Sequence, residues 1–382
     1  MNSADNKKNL VALLTNNDDD IYCFRKELIE GLLDAGYEML VSCPYGEKLE
    51  LMKHVNYRYD NPSIDRRGTN AAADLKLCAH YYRLFKKHKP SVVLTYTAKP
   101  NVYASLAARL LSIPYINNVT GFGSVLNMNG AMRSFVMQLF KLAYAKASCI
   151  MFQNSTNMKL AVESGMVKGR SILIPGSGVA TDRFPLQSYP EGGNGIYGEP
   201  VVFNYIGRIL HDKGVDDYIQ TARCIKAKFP RTEFNMMGFI EPTEIHYEQE
   251  LKQLEADGII NYLGSQQDVR PFIARSHATI HPSTYGEGMS NVLLESASSG
   301  RPLITTDNPG CKETLVDGKT GFVYKGGIVK ECCDAIEKFL GLGNAERKNM
   351  GIAGRQHVET HFSRTIVVQS YLDEINKILR SC

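Results

Sequence analysis

No stretch of this sequence approaches the ~18 consecutive apolar residues that a membrane-spanning helix needs. Residues Met1–Asn9 are polar and lack the apolar core of a secretory leader, so a cytosolic protein is expected. The nine cysteines form no C-x-x-C pair and no Cys/His cluster at zinc spacing, which excludes a structural zinc site. Most lie in apolar segments, as Cys43 does in Met39-Leu40-Val41-Ser42-Cys43, and read as reduced core residues. Asp18-Asp19-Asp20 is the one acidic run, a solvated loop and N-cap cluster by its composition. The chain lacks an RNA-recognition aromatic signature, a KH loop and zinc fingers, and its pI is only near 8.4, so nucleic acid is not an expected partner.

Acidic residues are missing from one long segment. Residues 75–162 hold eleven Lys/Arg and no Asp or Glu, and residues 1–185 carry net +8 against −4 for 186–382. Such a gap asks for an anionic partner, whether nucleic acid (which the missing signatures argue against), an anionic membrane or a phosphorylated substrate.

The 382 residues, 43% apolar and 22% charged, suffice for two or three domains with their own cores. Short apolar runs alternate with helix-length amphipathic segments. Strands are predicted at 10–14, 39–41, 92–96, 114–116, 147–152 and 172–174, and helices at 21–35, 70–88, 101–111 and 131–146. The alternation pauses at 175–200, where Pro175, Pro185, Pro190, Pro200 and a loose Gly192-Gly193-Asn194-Gly195 run predict a linker. It resumes with strands at 201–206, 232–237, 259–262, 278–281 and 302–305, and helices at 214–229, 243–256, 290–299 and 328–340. Strand–helix alternation of this kind predicts an α/β protein of two doubly wound, Rossmann-like parallel-sheet domains facing an interdomain cleft. The expected division is 1–185, 186–360 and a last helix in 361–382 that crosses back to the first domain.

Gly207-Arg208 closes the first strand of the second half, and Lys213-Gly214 precedes the next helix. A guanidinium that grips two oxygens, an ammonium point charge and a helix end suit a diphosphate. Further on, His281-Pro-Ser-Thr-Tyr-Gly-Glu287-Gly288-Met289-Ser290-Asn291-Val-Leu-Leu-Glu295 ends a strand, turns on glycines and starts a helix near Ser290 or Asn291. Free amides at Gly288–Asn291 would lie where the helix dipole favours an anion. Glu287 and Glu295, eight residues apart, span ~12 Å at helical rise. A glycosidase pair needs ~9.5 Å or less. A folded-back turn would shorten the gap, but the spacing better suits carboxylates gripping separate hydroxyl groups of one extended molecule.

Gly207-Arg208, Lys213-Gly214 and Glu287-x7-Glu295, in this order, resemble the retaining glycosyltransferases of family 4, which have the GT-B fold. Ser299-Gly300-Arg301-Pro302-Leu303-Ile304-Thr305-Thr306-Asp307, Glu313, Gly318-x-x-Gly321-Phe322 and Phe362-Ser363 continue the resemblance. In the first half, Tyr96-Thr97-Ala98-Lys99-Pro100-Asn101-Val102-Tyr103 and Asn118-Val119-Thr120-Gly121-Phe122-Gly123 are similar to enzymes that build bacterial glycans on a polyprenyl diphosphate. The undecaprenyl-diphosphate-linked N-acetylgalactosaminyltransferases are of this style. The resemblance implies that Arg208 and Lys213 neutralise the donor diphosphate, with Glu287 on the donor sugar and Glu295 on the ribose. The amides of Gly288, Met289, Ser290 and Asn291 would hold sugar and phosphate. It implies no metal or cofactor beyond the nucleotide sugar, in agreement with the lack of a DxD-type acidic pair near a strand end.

Two departures stand out. The loop after the first strand is Thr15-Asn16-Asn17-Asp18-Asp19-Asp20 rather than glycine-rich, and Asn117-Asn118-Val119-Thr120-Gly121 stands where many relatives carry a His. No base is therefore assigned, and His281 reads as structural. Attack on the same face, with the leaving phosphate taking the acceptor proton, needs none. Residues 131–146 combine bulky apolar residues with three cations, so they suit either an anionic membrane or a buried helix of the first sheet. Lys99 or Arg133, with Thr120 and Gly121, would then meet the acceptor diphosphate. The expected function is transfer of a hexose or N-acetylhexosamine from a nucleotide sugar, UDP rather than GDP, to a polyprenyl-diphosphate-linked glycan. The enzyme would be peripheral on the inner face of the plasma membrane. A transferase with a soluble acceptor and a nucleotide-sugar 2-epimerase are the alternatives.

Overall fold

The computed structural model describes residues 9–65, 70–122, 130–286 and 288–381. The chain divides into two compact units, one formed by residues 1–178 with 364–382 and the other by 179–363. The expected divisions at 185/186 and 360/361 therefore move to 178/179 and 363/364.

The first unit runs β1 (Leu10–Leu14), α1 (Asp18–Phe24), α2 (Lys26–Asp34), β2 (Glu38–Ser42), β3 (Arg58–Asp60), α3 (Ala71–His88), β4 (Val92–Tyr96), α4 (Ala98–Leu110), β5 (Tyr115–Val119), α5 (Gly130–Tyr144), β6 (Cys149–Phe152), α6 (Ser155–Glu163) and β7 (Ser171–Leu173). Its seven strands pair in parallel in the order β3-β2-β1-β4-β5-β6-β7. Alternate residues face opposite layers, as a period of two requires. Val11, Leu13, Val41 and Leu94 pack with Ile21, Leu28 and Leu32. Ala12, Leu14, Leu40 and Val93 pack with Leu77, Tyr81 and Phe85 of α3 and Ala104 and Ala108 of α4.

The last helix, α13 (Arg364–Ser381), belongs to this unit, and its Val367, Tyr371 and Ile375 complete the first of these layers. The helix predicted at 21–35 is two helices, broken at Arg25, whose buried guanidinium lies over the Tyr96 ring and donates to Ser177 Oγ at 2.6 Å. The acidic run is not a solvated loop. It forms the first turn of α1, capped by Asn17, with Asp20 buried, accepting from Thr15 Oγ1 and facing Arg25.

The second unit runs β8 (Val201–Ile206), α7 (Val215–Lys228), β9 (Thr232–Met237), α8 (Tyr247–Ala256), β10 (Asn261–Tyr262), α9 (Arg270–Arg275), β11 (Ala278–His281), α10 (Asn291–Ser298), β12 (Leu303–Thr306), β13 (Gly321–Tyr324), α11 (Val329–Gly341) and α12 (Asn344–His361). Its six parallel strands take the order β10-β9-β8-β11-β12-β13. Val201, Phe203, Phe234, Ile280 and Ile304 form one layer with Tyr218, Ile336 and Phe339, and Leu293, Leu294, Leu303 and Val358 form the other.

The stretch predicted as a linker is part of this unit from Val179 on. Two buried arginines grip it: Arg301 donates to the carbonyls of Gln187 and Ser188, and Arg347 to that of Gly193. Composition alone hides such an anchor, because the donors lie more than a hundred residues away. The cysteines divide: Cys43, Cys149, Cys311, Cys332 and Cys333 are buried, whereas Cys224 is exposed on α7.

Candidate functional site

In the second sheet the chain leaves β8 toward β9 on one side and returns at β11 on the other. The loops after β8 and β11 thus part at a topological switch point, the position where open α/β sheets bind ligands. Thr284 N–H donates to the Asp212 carbonyl at 3.0 Å, which stitches the two loops together. Gly214 has φ +75°, and a Cβ there would lie 2.1 Å from the Pro282 carbonyl oxygen, so only glycine lets the loop approach so closely.

This packing brings the two predicted cations together over one ring. The Arg208 guanidinium carbon lies 5.8 Å and the Lys213 Nζ 4.8 Å from the centroid of Tyr285. Arg208 Nη1 donates to Glu241 at 2.7 Å, and Tyr205 OH donates to the Arg208 carbonyl at 2.8 Å. Burial opposes the Arg208 charge, but the bond to Glu241, its negative charge and Tyr285 outweigh it and raise the pKa. Tyr285 and Glu241 are additions that sequence reasoning missed. Tyr285 lies inside the glycine-rich motif, where no spacing rule gives it a role. Glu241 follows the neighbouring strand, and no spacing rule ties it to Arg208.

The helix after the glycine turn, α10, starts at Asn291 with Ser290 as N-cap, as predicted. Gly288, Met289 and Ser290 are buried at its mouth, and Ser290 N–H is taken by the Gly310 carbonyl at 2.8 Å. Asn291 Oδ1 is buried without a protein partner among the described residues. Glu295 lies one turn inside the helix and is half-buried. Glu287 lies outside the described residues, as do Gly123 and residues 124–129. Among the described residues, no three His, Cys, Asp or Glu side chains gather as metal donors.

The first-half motifs are largely used within their own unit. Asn117 Nδ2 donates to Thr95 Oγ1 at 2.7 Å and Ser105 Oγ at 2.6 Å, and Asn101 Nδ2 donates to the Asn118 carbonyl, which locks β4, α4 and β5 together. Lys99, expected at the acceptor diphosphate, instead donates to Asp74 at 2.6 Å, and Tyr103 OH binds the same carboxylate. Its ammonium is neutralised inside the unit. Thr120 and Gly121 stand just past β5, half-buried, and Arg133 is exposed on α5. That helix is amphipathic across its width: Phe140, Ala143 and Tyr144 are buried, whereas Phe135 and Leu142 are 60% and 48% exposed.

Two doubly wound parallel-sheet units, the second with paired cations at its switch point, are the architecture of the GT-B glycosyltransferases. Residues 191–357 match the family model of glycosyl transferases group 1, and residues 11–154 match that of glycosyl transferase 4-like proteins. The chain belongs to these family-4 glycosyltransferases. It is 27% identical over 315 residues to the capsular polysaccharide biosynthesis glycosyltransferase CapM of Staphylococcus aureus, covering 81% of this chain and 82% of that one. It is 23% identical over 384 residues to the N,N'-diacetylbacillosaminyl-diphospho-undecaprenol alpha-1,3-N-acetylgalactosaminyltransferase of Campylobacter jejuni, covering 97% and 99%. Among solved structures, sucrose-phosphate synthase of Thermosynechococcus elongatus superposes with a TM-score of 0.79 at 15% identity, over 98% of this chain and 100% of that one. Anabaena Alr3699/HepE in complex with UDP and glucose does so with a TM-score of 0.78 at 17% identity, over 96% and 99%.

Proposed function

We propose that this enzyme transfers a hexose or N-acetylhexosamine, with retention, from a UDP-sugar to a polyprenyl-diphosphate-linked glycan in bacterial surface-glycan synthesis. The observation that carries the proposal is the pair Arg208 and Lys213 flanking Tyr285 at the switch point of the second sheet. Two cations there would neutralise a diphosphate, most of all as it departs with its full charge. Of the amides at the mouth of α10, that of Ser290 is already committed to the Gly310 carbonyl rather than free as expected, and those of Met289 and Asn291 would hold sugar and phosphate. Glu295 would take the ribose hydroxyls and Glu287 the donor sugar. In the transfer, the acceptor hydroxyl oxygen bonds to the anomeric carbon on the face from which the diphosphate departs. The hydroxyl proton passes to the departing phosphate oxygen, so no protein base and no metal ion enter the step.

The acceptor reading is supported by the undecaprenol-linked substrate in the name of the Campylobacter relative, and by the acid-free segment. Among the described residues no helix is long and apolar enough to cross a membrane. The exposed Phe135 and Leu142, with Arg133 on the same helix, suit a face that rests on anionic lipid. The acceptor diphosphate would then meet Arg133 near Thr120 and Gly121.

The test is release of UDP from UDP-sugars, without added metal, in the presence and absence of a polyprenyl-diphosphate disaccharide. Release that requires the lipid acceptor is expected. Release that requires only a water-soluble acceptor, or conversion of the donor to its 2-epimer, would overturn the acceptor assignment.

A further inference from the structure

We infer that Glu241 is a positioning residue for the transfer: its buried carboxylate fixes the Arg208 guanidinium in the orientation that meets the donor diphosphate. The inference rests on the donor-site reading above. The frame comes from the backbone. Past the ends of β8 and β9 the two chains keep pairing, with Gly207 N–H on the Met237 carbonyl at 2.9 Å, Ile209 N–H on the Phe239 carbonyl at 2.9 Å and Glu241 N–H on the Ile209 carbonyl at 3.1 Å. At Gly238, with φ +153°, a Cβ would lie 1.7 Å from the Gly207 carbonyl oxygen, so the loops touch without intervening side chains. Arg208 and Glu241 therefore project from one continued ladder rather than from two independent loops.

The burial of the partners is unequal. Side-chain exposure is 3% for Glu241 and 36% for Arg208, with 2.7 Å between Nη1 and the carboxylate. A carboxylate buried this deeply is costly without its counter-charge, so Glu241 holds Arg208 rather than the reverse. A guanidinium has five N–H donors in a rigid fork. With Nη1 committed to Glu241 and the guanidinium carbon 5.8 Å from the Tyr285 ring centroid, the rotamer freedom of a long side chain is removed before the donor arrives. A buried ion pair is by itself weak evidence of stability. Its place beside a reacting diphosphate gives it a catalytic consequence, since misplacing a charge-stabilising group by about 1 Å costs up to about a hundredfold.

Glu241→Ala removes the anchor but also a negative charge near an anionic ligand, and these act in opposite directions. The expected signature is a split: kcat, measured by UDP release with the donor and acceptor that support turnover, falls on the order of tenfold or more, while the Kd for UDP weakens by much less. Glu241→Gln, whose amide oxygen still accepts from Nη1, recovers most of the loss. In the Arg208→Ala background, Glu241→Ala costs nothing further. The same factor lost in both backgrounds would overturn the inference. So would a folded Glu241→Ala protein with wild-type kcat and only a lower Tm. If Glu241→Ala does not fold, a Glu241→Gln protein that loses as much kcat as Arg208→Ala contradicts it. Wild-type kinetics in Arg208→Ala would instead sink the donor-site reading itself.

Discussion

Arg301 provides a prediction whose sign depends on magnitudes. Its guanidinium is fully buried and all of its hydrogen bonds go to main-chain carbonyls. Nε donates to Ile273 at 2.9 Å, Nη2 to Ser188 at 2.7 Å and Ala274 at 2.8 Å, and Nη1 is shared among Ser299, Gly300 and Gln187 at 3.2–3.4 Å. Burial presses its pKa down to about 10 from 12.5, a charge penalty of about 3 kcal/mol at 1.36 kcal/mol per unit. Against this stand three short charge-assisted bonds at about 1.5–3 kcal/mol each. The bonds win by roughly 1–6 kcal/mol. In Arg301→Met the volume largely stays and the penalty disappears, but three carbonyls lose their donor.

We therefore expect Arg301→Met to lose about 2–4 kcal/mol, a Tm decrease of roughly 5–15 °C for a unit of this size. Replacing a buried ion pair by apolar residues is often neutral. The difference here is that the partners are fixed main-chain carbonyls, which remain when the arginine is gone. Differential scanning calorimetry gives the loss. Limited proteolysis locates it, with new cleavage expected within 186–200, the stretch Arg301 holds. An Arg301→Met protein as stable as wild type, with 186–200 still protected, would refute the reasoning.

His277 is buried, accepting from Val202 N–H at Nδ1 and facing the Glu191 carbonyl through Nε2, so it is held neutral; burial depresses its pKa to about 4. A histidine whose folded pKa lies below its unfolded value of ~6.5 leaves stability intact above that pH and loses it as the pH falls toward 4, by up to roughly 3 kcal/mol. Urea titrations at pH 7.5, 5.5 and 4.5 should show this slope, and His277→Gln should flatten it. Removing α13 after Ser363 strips Val367, Tyr371 and Ile375 from the core, at about 1.5–3 kcal/mol each. The sum reaches the whole stability of an ordinary domain, so the truncated chain should not fold, and a folded, active truncation contradicts this. Phe135→Ser with Leu142→Ser should reduce cosedimentation with vesicles of phosphatidylglycerol and leave the Tm unchanged, and equal cosedimentation would remove the membrane face from the account.

The fold is largely legible in the sequence because parallel strands buried on both faces are short apolar runs, and most predicted strands end within two residues of their places. Elements such as α6 (Ser155–Glu163) and β13 (Gly321–Tyr324) escape, as do several others with weak periodicity. β3 (Arg58–Asp60) is a three-residue edge strand, α9 has six residues, and α12 is too polar to show an apolar stripe. At the site, Arg208, Lys213 and the α10 mouth are legible because they fall at strand ends and helix starts, where spacing carries chemical meaning. Glu241 is not, since its link to Arg208 runs through strand order, and order is a three-dimensional property. Lys99 shows the opposite error. A lysine in an acid-free segment looks free in sequence, but the fold supplies Asp74 from 25 residues upstream.

The proposed donor site rests on Arg208 and Lys213 together holding a nucleoside diphosphate at the switch point of the second sheet. Calorimetric titration of UDP into the wild-type chain and into the Arg208→Ala/Lys213→Ala double variant, at low salt, tests it most directly. Two lost charge-assisted contacts at about 1.5–3 kcal/mol each predict a Kd weakened at least about a hundredfold. Equal affinity for UDP in a folded double variant would contradict the account.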